Sequence, residues 1–198
     1  MEHELGFDDE GRPVPDGTPG ELLVRCAGPD PRRGFFHCYL DNPEATAEAW
    51  RGGWFHTGDV VRRDRTGMFY FVDRRKDMIR RSGENISASE VEAVLAAHPA
   101  VARVAVLAVK DEMRDEEVMA CIVPAPGAAA SAETAAALVT HALAQLAYYK
   151  APGWIAFRDE LPVTSTNKIQ KNRIFEGQGD PRERAIDCRD LKKRKLAS

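Results

Sequence analysis

The chain has 198 residues, 43% of them hydrophobic and 30% charged, with a formal net charge of −3. That size supports one ordinary domain or two small ones, and the slightly acidic balance excludes a nucleic-acid binder driven by bulk electrostatics. No apolar run approaches the ~20 residues that span a bilayer. Met1-Glu2-His3-Glu4-Leu5 lacks the basic start and apolar stretch of a secretory signal. The cytoplasm is the expected compartment.

From residue 1 to 73 the chain is rich in turn residues and strand-like runs. Gly11 to Gly20 is a loop by its Pro, Gly and Asp content. Leu22-Leu23-Val24 reads as a short strand. Asp41 or Asn42 caps a short helix whose first residue is Pro43, where the missing N–H costs nothing, and which ends near Trp50. Val60-Val61 and Met68 to Val72 flank the turn-like Asp64-Arg65-Thr66-Gly67, the pattern of a hairpin. This region reads as the end of a larger β-rich unit.

Residues 74–175 alternate helices and strands. Ser87-Ala88-Ser89-Glu90 is a capping box, and Val91, Val94 and Leu95 share one face of a helix that ends before Pro99. Strands are expected at 101–109, 118–123 and 154–157, and a helix over 133–147 with Ser131 as its cap. The expected class is α+β: a β-rich remnant, then a small domain of helices on a mainly antiparallel sheet. From 176 to 198 periodicity is lost, and Leu191-Lys192-Lys193-Arg194-Lys195 ends the chain with a basic cluster. That cluster fits a flexible, solvated terminus better than a nucleic-acid or membrane contact.

The four cysteines, Cys26, Cys38, Cys121 and Cys188, are far apart and are expected to be buried free thiols. The five histidines, at 3, 37, 56, 98 and 141, have no zinc-like spacing, so no metal ligand is assigned.

Three segments carry chemistry. The first is Trp54-Phe55-His56-Thr57-Gly58-Asp59, the second Asp73-Arg74-Arg75-Lys76-Asp77-Met78-Ile79-Arg80-Arg81-Ser82-Gly83-Glu84-Asn85-Ile86. The third is Leu161-Pro162-Val163-Thr164-Ser165-Thr166-Asn167-Lys168-Ile169. In this order the chain resembles, from about Gly20 to Ile174, the carboxyl-terminal part of the AMP-forming, adenylate-forming enzymes. Asp-Arg-Arg, Met-Ile-Arg-Arg-Ser-Gly-Glu-Asn-Ile-Ser, and Lys110-Asp111 before Arg114-Asp115-Glu116 look most like the carnitine/crotonobetaine-CoA ligase branch.

The resemblance implies that Lys168 touches the acyl carboxylate and a phosphate or ribose oxygen during adenylation, where a preorganised ammonium neutralises gathering negative charge. Taken alone, without the other two segments, it reads as a surface lysine. The family usually has glycine before this lysine; here it is Asn167, which tolerates a left-handed backbone. Asp59 is implied to bind the ATP ribose hydroxyls, against the alternative of a turn aspartate. Arg74 is implied to contact the nucleotide through its rigid fork of donors, against a surface arginine in a basic stretch. Lys76 takes the hinge position of a carboxyl-terminal domain that rotates between half-reactions, and the charged stretch 73–77 has the exposed character a hinge requires. Gly83 is implied to flank the pantetheine channel, or is a simple turn glycine. Arg80, or Arg81 beside it, is implied to meet the CoA phosphates. Tyr149 stacks on the CoA adenine or packs in the core.

The implied activity is ATP-dependent activation of a small carboxylic acid to an acyl-adenylate, then transfer to CoA. ATP and CoA are the implied cosubstrates, with Mg2+ held outside this stretch. The family's Ser/Thr/Gly-rich phosphate loop is not in the sequence, so the large amino-terminal domain of the same enzyme is the expected partner and the chain alone is expected to be inactive. A homodimer is left open. The alternatives are a stand-alone binding module and an adenylation domain that loads a carrier protein.

Overall fold

The computed structural model describes residues 2–7 and 12–192. The chain divides into two compact units, Met1–Lys76 and Asp77–Ser198.

In the first unit β1 (Glu2–Phe7), β2 (Gly20–Arg25), β3 (Phe55–Arg63) and β4 (Phe69–Arg74) form one antiparallel sheet in that order. Helix α1 (Pro43–Ala49) begins where Asn42 accepts a hydrogen bond from the Ala45 N–H at 2.9 Å, with Pro43 in the first turn. Trp50 ends it, 4% exposed, its ring edge-on to Phe35 with centroids 5.2 Å apart. The β3–β4 turn is closed by Asp64, whose carboxylate accepts from the Thr66 and Met68 N–H groups, with Gly67 at φ +85°.

In the second unit β5 (Met78–Arg81) and β6 (Glu84–Ser87) form a hairpin. Its two loop residues, Ser82 and Gly83, both have positive φ (52° and 82°), as a type I′ turn requires. Then come α2 (Ala88–Ala96), β7 (Val101–Asp111), β8 (Asp115–Pro124), α3 (Ala132–Gln145), β9 (Trp154–Phe157) and β10 (Ile186–Asp187). The strand order is β10-β9-β8-β5-β6, with β7 also on β8; only the β8–β9 pair is parallel. This is the expected α+β architecture.

Strand alternation decides the two faces of that sheet. Val118, Ala120 and Ile122 point with Val106 and Ile155 into a core shared with Val91 and Leu95 of α2 and Leu138 and Val139 of α3. Met119 and Cys121 point the other way, onto Leu161, Ile174 and Phe175. At nine residues α2 is shorter than the ~12–15 at which a helix is stable alone. Its docked face holds it, since each fully buried Val or Leu contributes about 1.5–3 kcal/mol. Ser87 and Ser131 accept from Glu90 N and Thr134 N, capping α2 and α3.

Two expectations are corrected. The segment from 176 is not loose as far as Lys192: Ile186 pairs with Ile155, Cys188 is 3% exposed and Lys192 is 8% exposed. Its apolar residues are spaced for single contacts and not for a repeating face, so no periodicity announced them. Lys193, Arg194 and Lys195 of the basic cluster lie outside the described residues. Of the four thiols, Cys121 and Cys188 are buried, but Cys26 is half-buried and Cys38 exposed. Burial pushes the Cys121 and Cys188 thiols up to about 12 and about 11. No helix among the described residues is long and apolar enough to cross a membrane.

Candidate functional site

Pairing of β3 with β4 sets Asp59 opposite Arg74. The Arg74 Nε lies 3.2 Å from Asp59 Oδ1. The contact is an ion pair without hydrogen-bond alignment, and Asp59 Oδ1 is buried with no hydrogen-bond donor among the described residues. Arg74 itself is exposed, its side chain 59% accessible. Thr57, Gly58, Arg74, Arg75 and Lys76 line an open cavity of about 350 Å3 beside this pair. Gly58 takes φ +70°, which turns the strand at the cavity wall. Thr57 donates to the Leu22 carbonyl at 2.8 Å and accepts from Asp59 N at 3.0 Å, fixing the backbone that carries Asp59.

Beneath this wall lies a residue that the sequence reading passed over. Glu21 is 6% exposed, and its Oε2 accepts from His56 Nδ1 at 3.0 Å, Arg75 Nη1 at 2.7 Å and Arg51 Nη2 at 3.4 Å. Its Oε1 accepts from the Gly58 N–H at 3.3 Å. Burial raises its pKa, but the His56 hydrogen bond and the charge interactions with His56, Arg75 and Arg51 outweigh that and hold the carboxyl below its ordinary value. The available signal was a lone carboxylate inside the apolar run Gly20 to Val24. A charge in such a place is paired more often than not.

Lys76 is exposed and sits in a single 3-10 turn, Arg75–Asp77, at the division between the units. The charged stretch is less exposed than expected at its start: Asp73 is 4% accessible within β4, its carboxylate accepting from Arg74 N at 2.7 Å.

Lys168 stands in the second unit on a tight hairpin. Val163 bridges Ile169, Thr164 N donates to Lys168 O at 2.8 Å, and Asn167 N donates to Thr164 O at 2.9 Å. Asn167 takes φ +61°, the left-handed conformation that the sequence asks of that position. Leu161, 4% exposed, and Ile169 root the hairpin in the sheet face. Lys168 is exposed and its ammonium has no ion-pair partner among the described residues, whereas Lys171, three positions on, pairs with Glu92 at 2.8 Å.

Gly83 is explained by its own turn. Its φ of +82° strains any side chain, while a Cβ there would meet open space within this chain. Arg80 is exposed on β5, its N–H donating to Glu116 Oε2 at 2.7 Å. Tyr149 packs against the helix-side core, and the more exposed ring of the pair is Tyr148, edge-on to it at 5.7 Å. Of the two rings, Tyr148 is the one open to solvent. Among the described residues no group of three or more His, Cys, Asp or Glu side chains is disposed to hold a metal ion.

The family model described as the AMP-binding enzyme C-terminal domain matches residues 90–168. A crotonobetaine/carnitine–CoA ligase of an Escherichia coli strain is 39% identical over 168 residues, which are 84% of this chain and 31% of that protein. Among solved structures, an anthranilate CoA ligase in complex with anthranoyl-AMP superposes with a TM-score of 0.71 at 34% identity, over 86% of this chain and 32% of that one. An amide bond synthetase from Marinactinospora thermotolerans gives 0.68 at 34% identity, over 87% and 34%. The chain thus spans about a third of the length of these proteins.

Proposed function

Because this chain belongs to the adenylate-forming enzymes and carries their AMP-binding C-terminal domain, we propose that it is the carboxyl-terminal portion of a carboxylate–CoA ligase. The whole enzyme joins a small carboxylic acid to the α-phosphate of ATP, releasing pyrophosphate. The CoA thiol then attacks the acyl carbon, giving the thioester and AMP. The amino-terminal domain of the same enzyme, acting in the cytoplasm, supplies the acyl pocket and the phosphate loop.

The observation that carries this reading is the Asp59–Arg74 pair at the cavity wall. A carboxylate oxygen that is buried without a donor is a costly arrangement unless a ligand completes it. Two ribose hydroxyls are suitable donors, and the exposed Arg74 fork fits the adjoining phosphate. Lys168, whose ammonium has no ion-pair partner among the described residues, neutralises charge as carboxylate and α-phosphate meet. Lys76 absorbs the rotation that replaces this face with the thioester face, where Gly83 and Arg80 contribute. The family implies Mg2+ with ATP, but no cluster on these residues fits it, and no step here is derived from it.

The neighbours leave two acceptors to choose between, a thiol and an amine, since one is an amide bond synthetase. The crotonobetaine/carnitine–CoA ligase relatives favour CoA. In the full-length enzyme, Lys168→Ala is expected to lower ATP–pyrophosphate exchange by about a hundredfold or more, the range for a lost charge-stabilising donor. Exchange near the unsubstituted rate would remove Lys168 from the mechanism.

A further inference from the structure

In the second unit one carboxylate joins three separate segments. Glu117 of β8 is fully buried. Its Oε2 accepts from Arg81 Nε at 2.9 Å, and its Oε1 accepts from Lys192 Nζ at 2.5 Å and from Val118 N at 2.9 Å. The basic side chains are 7% and 2% exposed. Lys192 Nζ also donates to the Tyr149 carbonyl at 3.4 Å. The backbone is cut away to admit the group: a Cβ on Gly153 would stand 2.6 Å from Glu117 Cγ.

Buried charges are an expensive way to gain stability, and apolar side chains of equal volume often serve as well. What a closed set of charges supplies instead is fixed position, because each partner must stay where the others leave it satisfied. Arg81 immediately precedes the Ser82-Gly83 turn, whose Ser82 N–H is also held by the Arg114 carbonyl at 3.0 Å. Tyr149 belongs to the segment that follows α3. Lys192 is delivered to both by a terminal segment pinned at intervals: Arg182 to the Lys110 carbonyl at 3.0 Å, Cys188 N to the Gly153 carbonyl at 2.8 Å, and Arg189 to Asp111 at 3.4 Å. All of these terminal anchors lie beyond residue 168, where the family match ends.

We infer that Lys192 and Glu117 form a latch that positions the Ser82-Gly83 turn and the Tyr148-Tyr149 segment for CoA, so that the terminal segment serves the thioester half-reaction and not adenylation. This rests on the ligase reading above. Lys192 and Glu117 are positioning residues, since neither reaches solvent where a substrate would lie. Among the described residues, the Lys168 hairpin's hydrogen-bond partners, such as Arg103 and its own Thr164, do not belong to this set.

The test uses the full-length enzyme with Lys192→Met, which keeps the length and leaves the Arg81–Glu117 pair intact. The KM for CoA is expected to rise roughly tenfold, short of the ~hundredfold that a 1 Å misplacement of reacting groups brings. ATP–pyrophosphate exchange stays within twofold, and Lys192→Arg recovers most of the CoA affinity. Backbone amides at 82–84 and 147–150 exchange with deuterium faster in Lys192→Met, while those at 164–170 do not. Equal loss in both half-reactions, or an unchanged KM for CoA, overturns the latch. Lys192→Gln gives the same split should the methionine variant not fold. An unsubstituted enzyme that makes no thioester sinks the ligase reading instead, and the exchange pattern at 82–84 and 147–150 then still decides whether the latch exists.

Discussion

Glu21 in the first unit and Glu117 in the second each gather basic side chains around one carboxylate, yet they do so under different conditions. Arg51 and Arg75 around Glu21 are each 40% exposed, so water shares their charge and the attraction is screened. Arg81 and Lys192 around Glu117 are almost wholly enclosed, where removing one partner strands the others in a poor solvent. The first arrangement is adjustable and lies under a cavity wall. The second is rigid and fixes the ends of chain segments. The contrast teaches that a carboxylate inside an apolar strand has no single meaning; the exposure of its partners decides whether it tunes a surface or locks a core.

Breaking the enclosed set should have the largest effect. Glu117→Leu leaves Arg81 and Lys192 buried without a counter-charge and is expected to destabilise the second unit by about 3–5 kcal/mol. Chemical denaturation of the chain, followed by a probe in the second unit such as Trp154 fluorescence, measures this. A loss under 1 kcal/mol would show that water reaches the site and that the contrast with Glu21 is false.

Helix starts were legible in the sequence because capping is local. Asn42, Ser87 and Ser131 each cap the helix that their side-chain chemistry announces. The strands of β7 and β8 were legible from runs of valine with alanine. The left-handed Asn167 was legible too, since the turn needs only four neighbouring residues. The terminal segment was not, because Ile186, Cys188 and Lys192 find partners on β9, at Gly153 and at Glu117, far away in sequence. Glu21 and Glu117 stayed unread for the same reason: a carboxylate's partners at distances of 30 to 75 residues leave no local pattern. Tyr149 and Tyr148 differ by one position, and only packing decides which ring is covered.

The open set should respond more mildly. Glu21→Gln keeps the shape and the Gly58 contact but removes the charge shared by His56, Arg51 and Arg75. A cost of about 1–2 kcal/mol is expected, at the lower end for hydrogen bonds to charged groups because the arginines remain solvated. Thermal unfolding of the first unit reads the stability. On the ligase reading, the KM for ATP in the full-length enzyme rises as the Asp59 backbone loosens while the KM for CoA holds. A loss as large as that of Glu117→Leu would erase the distinction between the two sets.

The smallest effect is one of pH, and its sign separates the sets most cleanly. Burial lowers the Lys192 pKa from 10.5 to about 8, against the opposing pull of Glu117 and with Arg81 and Arg114 adding to the lowering. Below pH 8 this lysine is protonated both folded and unfolded, and its contribution is flat. Between pH 8 and 10.5 the folded chain has released the proton while the unfolded chain keeps it, so raising the pH favours the folded state. The buried thiols act in the opposite direction from about pH 8: Cys121 and Cys188 ionise there only when unfolded, which favours unfolding. Between pH 8 and 9 the lysine adds about 1 kcal/mol, while the two thiols, already ionising in the unfolded chain, offset about 0.7 kcal/mol of it, so the net rise is small and the lysine's share is read as the difference between the chain and Lys192→Met. Lys192→Met should replace that small rise with a decline that begins near pH 8 and steepens above pH 9. A rise that survives in Lys192→Met would mean that another group titrates there and that Lys192 is better solvated than its 2% side-chain exposure indicates.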